Sequence, residues 1–169
     1  MALVLNTNSY VEIADADTYF ETRIDSANWV TSSDEIKEQA LVTATQLVDD
    51  NAWLGSAVSS SQALAWPRQN VRYYDQKLGH EITVSESEVP ERVKIAVYEQ
   101  ALHLIDNEDL LTGNTQTFES ISVGSISLSD SNNDVTRKSI KTSLAMKQIR
   151  PLLRKGVAGG QGLSWWRAN

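Results

Sequence analysis

Few side chains in this sequence are suited to catalysis or metal binding. There are two histidines and no cysteine, which excludes disulfides, thiolate metal sites and a cysteine nucleophile. His80 falls in a loop. His103 falls in a helical pattern with no second histidine four residues away, so both read as structural or surface groups. The acid pairs Asp15/Asp17 and Asp49/Asp50 could hold a hard cation, but each sits at an expected helix end, where carboxylates are accounted for by capping and solvation. No phosphate-binding Gly-rich loop, zinc-protease helix or serine elbow occurs. The expectation is a non-enzymatic protein with no cofactor and no metal.

The tryptophans carry more information. Trp66-Pro67-Arg68 and Trp165-Trp166-Arg167 each place an indole beside a guanidinium, a pairing that suits stacked single-stranded bases and their phosphates. Trp66 and Arg68 are therefore candidate nucleic-acid contacts. The competing reading makes Trp66 a core anchor among Ala63, Leu64 and Ala65, with Arg68 in a salt bridge. Trp165 and Trp166 follow a Gly-rich stretch and read instead as anchors on a partner, a role in which Trp and Arg are favoured.

Charge is sorted along the chain. All 22 acidic residues lie in 1–134, whereas 135–169 holds 8 of the 15 Lys and Arg residues and no acid. A basic tail on an acidic body could meet DNA phosphates or a protein surface of opposite sign. Arg150, Arg154, Lys155, Trp165, Trp166 and Arg167 are the candidate inter-subunit contacts. The overall charge of −7 argues against nucleic-acid binding over the whole surface.

Four helices should position these groups. The first spans 14–24, with Ala16, Tyr19, Phe20 and Ile24 at helical spacing. The second spans 33–50, opened by a Ser32/Glu35 capping box. Ile36, Ala40, Leu41, Ala44, Leu47 and Val48 form its apolar stripe, and Lys37 and Asp49 lie off it in solvent. The third starts at Pro90 and runs to about Leu110, closed by Gly113-Asn114. The fourth starts near Thr136, carries Ile140, Leu144, Ala145 and Ile149, and is limited by Pro151. Between them, 71–84 and 118–128 read as β-hairpins, the first bending at Gly79 and the second at Gly124-Ser125. The fold class is mainly α: a helical bundle with short β-hairpin arms, one domain over 1–154, and a Gly-rich basic arm over 155–169. No run is apolar enough to span a membrane, and the first residues lack the pattern of a secretory signal.

Several blocks resemble a known family. Tyr10-Val11 precedes Ala14-Asp15-Ala16-Asp17-x-Tyr19-Phe20. Then come Lys37-Glu38-Gln39-Ala40-Leu41, Thr43-Ala44-Thr45 and Leu47-Val48-Asp49. Ala63-Leu64-Ala65-Trp66-Pro67-Arg68-x-x-Val71 and Val89-Pro90-x-x-Val93-Lys94 follow. In this order the blocks resemble the phage family of DnaT-like single-stranded-DNA-binding proteins. Size and layout also resemble the head–tail connectors of tailed phages. That second resemblance implies a virion neck protein, assembled in the host cytoplasm as a twelve-copy ring. Its partners would be a portal, tail or nozzle proteins, and double-stranded DNA passing through without specific binding. The DnaT-like resemblance implies the alternative, a single-stranded-DNA-binding accessory protein of phage replication.

Overall fold

The computed structural model describes residues 2–107, 121–123, 126–128 and 142–154. Its elements are five helices and three two-stranded antiparallel sheets, so helices dominate but do not form a simple four-helix bundle.

Helix α1 (Ile13–Phe20) buries Ala16 and Phe20. It ends earlier than its spacing suggests: Ile24, expected on the buried stripe, is fully exposed. The chain turns at 21–26, where the Ser26 hydroxyl donates to the Phe20 carbonyl at 3.1 Å. A short helix α2 (Ala27–Thr31), not expected from the sequence, then drives Trp29 into the core against Phe20, ring centroids 4.7 Å apart. Five residues are too few for apolar periodicity to show.

Helix α3 (Asp34–Asp49) is capped by Ser33, whose hydroxyl accepts the Ile36 amide at 3.4 Å. The expected Ser32 cap is displaced by one residue because Ser32 closes α2, donating its hydroxyl to Asn28 O at 2.6 Å. Ala40, Leu41, Ala44 and Val48 are buried as the stripe predicts, but so are Val42 and Thr45 off it, and Leu47 on it is only half-buried. Two expectations about this helix are overturned. Ile36 is exposed, while Lys37 is buried with its ammonium 2.8 Å from Asp17 and above the Trp29 ring. The aliphatic stem of lysine packs as readily as a hydrophobe once its charge is paired.

Helix α4 (Glu91–Ile105) follows Pro90 and buries Val93, Ala96, Val97, Ala101 and Leu102 along α3. It stops at Ile105, short of the expected 110, with the Asp106 amide donating to Leu102 O. Asn28, in α2, donates to Asp106, just after α4, at 2.7 Å. Helix α2 thus meets the end of α4, while α3 and α4 make the most extensive helix–helix contact among the described residues.

Sheet pairing accounts for the connections. β1 (Ser56–Ala57) pairs with β2 (Arg68–Gln69), and β3 (Arg72–Asp75) with β4 (His80–Thr83). The hairpin expected at 71–84 is present, with Gly79 at φ +73°. Strands β5 (Ile121–Val123) and β6 (Ile126–Leu128) occur inside the expected 118–128 hairpin. Helix α5 (Ser143–Ile149) packs on α4 and is capped by Thr142, whose amide donates to the buried Gln100 side chain at 3.0 Å. Ala145 and Ile149 are buried as expected; Leu144 is exposed, and Thr136 and Ile140 lie outside the described residues. After a 3-10 turn (Arg150–Leu152), the chain pairs with residues 52–54 through Leu54 N–H to Leu152 O at 2.9 Å and Arg154 N–H to Ala52 O at 2.8 Å. No helix of the described residues is long and apolar enough to cross a membrane.

Candidate nucleic-acid interface

The block that looked most like a base-stacking site is internal architecture. Trp66 is 2% exposed and packs edge-on against Trp53, with centroids 5.4 Å apart, so no base can reach its face. Its backbone amide donates to the Tyr10 hydroxyl at 3.1 Å, and that hydroxyl donates to the Asp49 carboxylate. Asp49 also accepts the Ala65 amide at 2.9 Å, and its carbonyl accepts the Trp53 indole N–H at 3.0 Å. Asp49, expected in solvent, thus ties the first residues, the end of α3 and the Trp-Pro-Arg turn together. Burial first, then the Asp49 contact, holds the Tyr10 phenol far above its ordinary value.

Arg68 forms no ion pair among the described residues. Its guanidinium instead donates to the carbonyls of Leu54 at 2.8 Å, Gly55 at 2.9 Å and Ala65 at 3.2 Å. Trp66 is thus the core anchor of the competing reading and not a stacking platform, while the Arg68 salt bridge that went with that reading is replaced by carbonyl contacts. Arg150 and Arg154 are exposed at the end of the described chain; Lys155, Trp165, Trp166 and Arg167 lie outside it.

The acid pairs and histidines also have local partners. Asp17 accepts from Lys37 and from the Trp29 indole, both at 2.8 Å. Desolvation opposes its charge, but these two hydrogen bonds and the Lys37 ammonium hold it below the usual carboxylate range. The His80 ring lies 3.1 Å from Leu78 O, and the His103 carbonyl accepts from Asn107. An open groove beside Thr7, Asn8 and Gln46 carries Asp49 and Asp50, the wrong sign for phosphate.

An open aromatic ring stands elsewhere, on the β3–β4 hairpin. Tyr74 is 62% exposed, the one aromatic side chain among the exposed large hydrophobic residues of the described chain. Alternation along β3 puts Arg72 on the same outer face, and register adds Thr83 and Glu81 opposite them. Lys77 stands exposed in the adjoining turn. Neither Arg72 nor Lys77 makes an ion pair among the described residues.

The inner face fixes the hairpin. Arg92, in the first turn of α4, lies over the Tyr73 ring at 5.3 Å, donates to its hydroxyl at 3.2 Å and pairs with Asp75 at 3.4 Å. Asp75 also accepts the Lys77 and Leu78 amides at 2.8 and 3.1 Å, closing the turn. The Leu78 amide foremost, against a desolvation penalty, and then the Lys77 amide and Arg92 keep the Asp75 carboxyl below its ordinary value. The platform is therefore pinned while its outer face stays open. β3 also packs on the 3-10 turn that carries Arg150.

A tyrosine flanked by free cations can stack a base and neutralise adjacent phosphates. Tyr74 carries no tryptophan–arginine pairing to mark it in the sequence. The signal available was the alternation of Arg72, Tyr73 and Tyr74 in an expected strand, which puts Arg72 and Tyr74 on one face.

A family model described as "Putative DnaT-like ssDNA binding protein" matches residues 2–168. No curated protein and no solved structure matches the chain. The head–tail connector reading, with its twelve-copy ring, portal and tail partners and DNA passing without specific binding, is overturned by that match. It rested on size and element layout, which unrelated functions share, whereas the match follows the residues themselves over nearly the whole chain.

Proposed function

The chain belongs to the DnaT-like family, and on that premise we propose that it is a non-enzymatic accessory protein that binds single-stranded DNA through the outer face of the β3–β4 hairpin. The observation that carries the reading is the exposed Tyr74 ring beside Arg72, which makes no ion pair among the described residues, on a hairpin anchored from behind by Arg92. A single strand suits this site better than a duplex, because its unstacked bases offer their faces to one ring. The chain's charge of −7 confines binding to such a local patch, and it is the cations of that patch whose phosphate contacts are strengthened at low ionic strength.

The test is fluorescence anisotropy with a labelled oligothymidylate across a salt series. The expected result is saturable binding whose affinity falls linearly on a log–log plot as salt rises, with single-stranded DNA preferred over a duplex of the same length. Absence of binding at low salt, or equal affinity for duplex, would refute the reading.

A further inference from the structure

Two guanidinium groups close on one carbonyl oxygen. Arg68 donates to Gly55 O at 2.9 Å, and Arg154 reaches the same atom at 3.4 Å. These positions are set by backbone, since Arg68 lies in β2 and Arg154 is held by its amide bond to Ala52 O. Neither makes an ion pair with a carboxylate among the described residues. Asp49 lies close enough to favour the Arg68 charge, but its carboxylate is already occupied by Tyr10 and the Ala65 amide. Burial, and then repulsion from Arg154, lower the Arg68 pKa.

Like charges held side by side, with no carboxylate bonded to either among the described residues, are an arrangement that an incoming anion stabilises. Donors remain for one. A guanidinium carries five N–H groups; Arg68 directs three at carbonyls and Arg154 one. Guanidinium N–H groups not directed at these carbonyls are donors of the kind that bind phosphate oxygens. The pair is also near the hairpin: the 3-10 turn leading to Arg154 packs on β3, the strand of Arg72 and Tyr74.

We infer that Arg68 and Arg154 form a phosphate-binding subsite beside Gly55, and that its ligand is a phosphodiester of the strand whose base stacks on Tyr74. The second half of this inference rests on the proposed function above; the first does not.

Arg154 is the residue to change, because it is exposed and its loss leaves the Arg68 carbonyl contacts in place. Two arms separate the sources of phosphate. In the first, pyrophosphate is titrated into the full-length protein and followed by amide chemical shifts. Saturable shifts at Gly55 and Arg154, abolished in Arg154→Gln, support the subsite, and no shift there overturns it. In the second, oligothymidylate affinity is measured against salt for wild type, Arg154→Gln and Arg154→Lys. The expectation is a several-fold loss for Arg154→Gln, a salt slope shallower by about 0.7, the single-strand value for one phosphate, and partial rescue by lysine. An unchanged slope with a positive pyrophosphate arm overturns the DNA assignment and leaves a site for free phosphate. If no oligonucleotide binds the wild type, the proposed function and the DNA half of the inference fall together, and the pyrophosphate arm alone decides the subsite.

Discussion

Tyr10 and Asp49 stand 39 positions apart in sequence, and the phenol of one donates to the carboxylate of the other. Through that bond the chain's first turn, the end of α3 and the Ala65-Trp66 amides share one polar centre inside an apolar core. Tyr10→Phe leaves Asp49 without its phenol donor and the buried Trp66 amide without its acceptor. The expected cost is about 1–3 kcal/mol of unfolding free energy by urea denaturation. Single-stranded-DNA affinity at temperatures where the variant is folded should not change. The phenol adds a pH signature: its folded pKa is raised above the ordinary 10.0, so its contribution is complete below that pH and is lost as pH rises beyond it. Wild type should lose stability above about pH 10, and Tyr10→Phe should lose less.

Acid tests the opposite end of the molecule. Asp17 is held below its ordinary 3.8 by Lys37 and Trp29, so the stability it contributes is present above that value and lost as pH falls through the folded value. Urea midpoints measured between about pH 5 and pH 3 should therefore fall for wild type and fall less for Asp17→Asn. Equal slopes would show that the Asp17–Lys37–Trp29 contact does not persist in solution.

Two glycines with positive φ should respond differently to alanine. At Gly55 (φ +65°) an added Cβ would meet Gln69 O at 2.2 Å and Val71 Cγ2 at 2.8 Å, so strand and core must both shift. At Gly79 (φ +73°) nothing lies within 4 Å, and only the backbone penalty applies. Thermal melts should show Gly79→Ala costing about 1–2 kcal/mol, with Gly55→Ala costing several times more or failing to fold.

The hairpin's two faces should separate stability from binding. Tyr74→Ala removes an exposed ring and should leave the melting temperature within error while weakening oligothymidylate binding roughly 5- to 150-fold, the range for one stacked base. Trp66→Phe should do the reverse, because the smaller ring leaves a void in the core against Trp53; loss of an indole N–H that meets no acceptor among the described residues offsets only part of that cost.

Periodicity revealed the long helices because the apolar residues of α3 and α4 recur at helical spacing, although α4 is in fact buried on every side from Ala96 to Leu102, and Gly79 marked the β3–β4 turn. It could not reveal the reversal of Ile36 and Lys37. That depends on Asp17 arriving from α1 to pair the ammonium, a contact 20 positions away. For the same reason Trp66-Pro67-Arg68 looked like a ligand site: its partners, Tyr10, Asp49 and the Leu54–Gly55 carbonyls, come from other parts of the chain. A motif's composition shows that an indole and a guanidinium are adjacent in sequence. Only tertiary contacts show whether they face solvent.

Photocrosslinking tests the central claim most directly. An oligothymidylate carrying one 5-iododeoxyuridine should be irradiated with the full-length protein at low salt and the adduct mapped by mass spectrometry. A stacked ring is the favoured site of adduct formation, so the expected product is a crosslink at Tyr74 that is lost in Tyr74→Ala and suppressed as salt rises. Crosslinks confined to Trp165 or Trp166, or none above the level of a non-binding control protein, would contradict the hairpin as the DNA-binding surface.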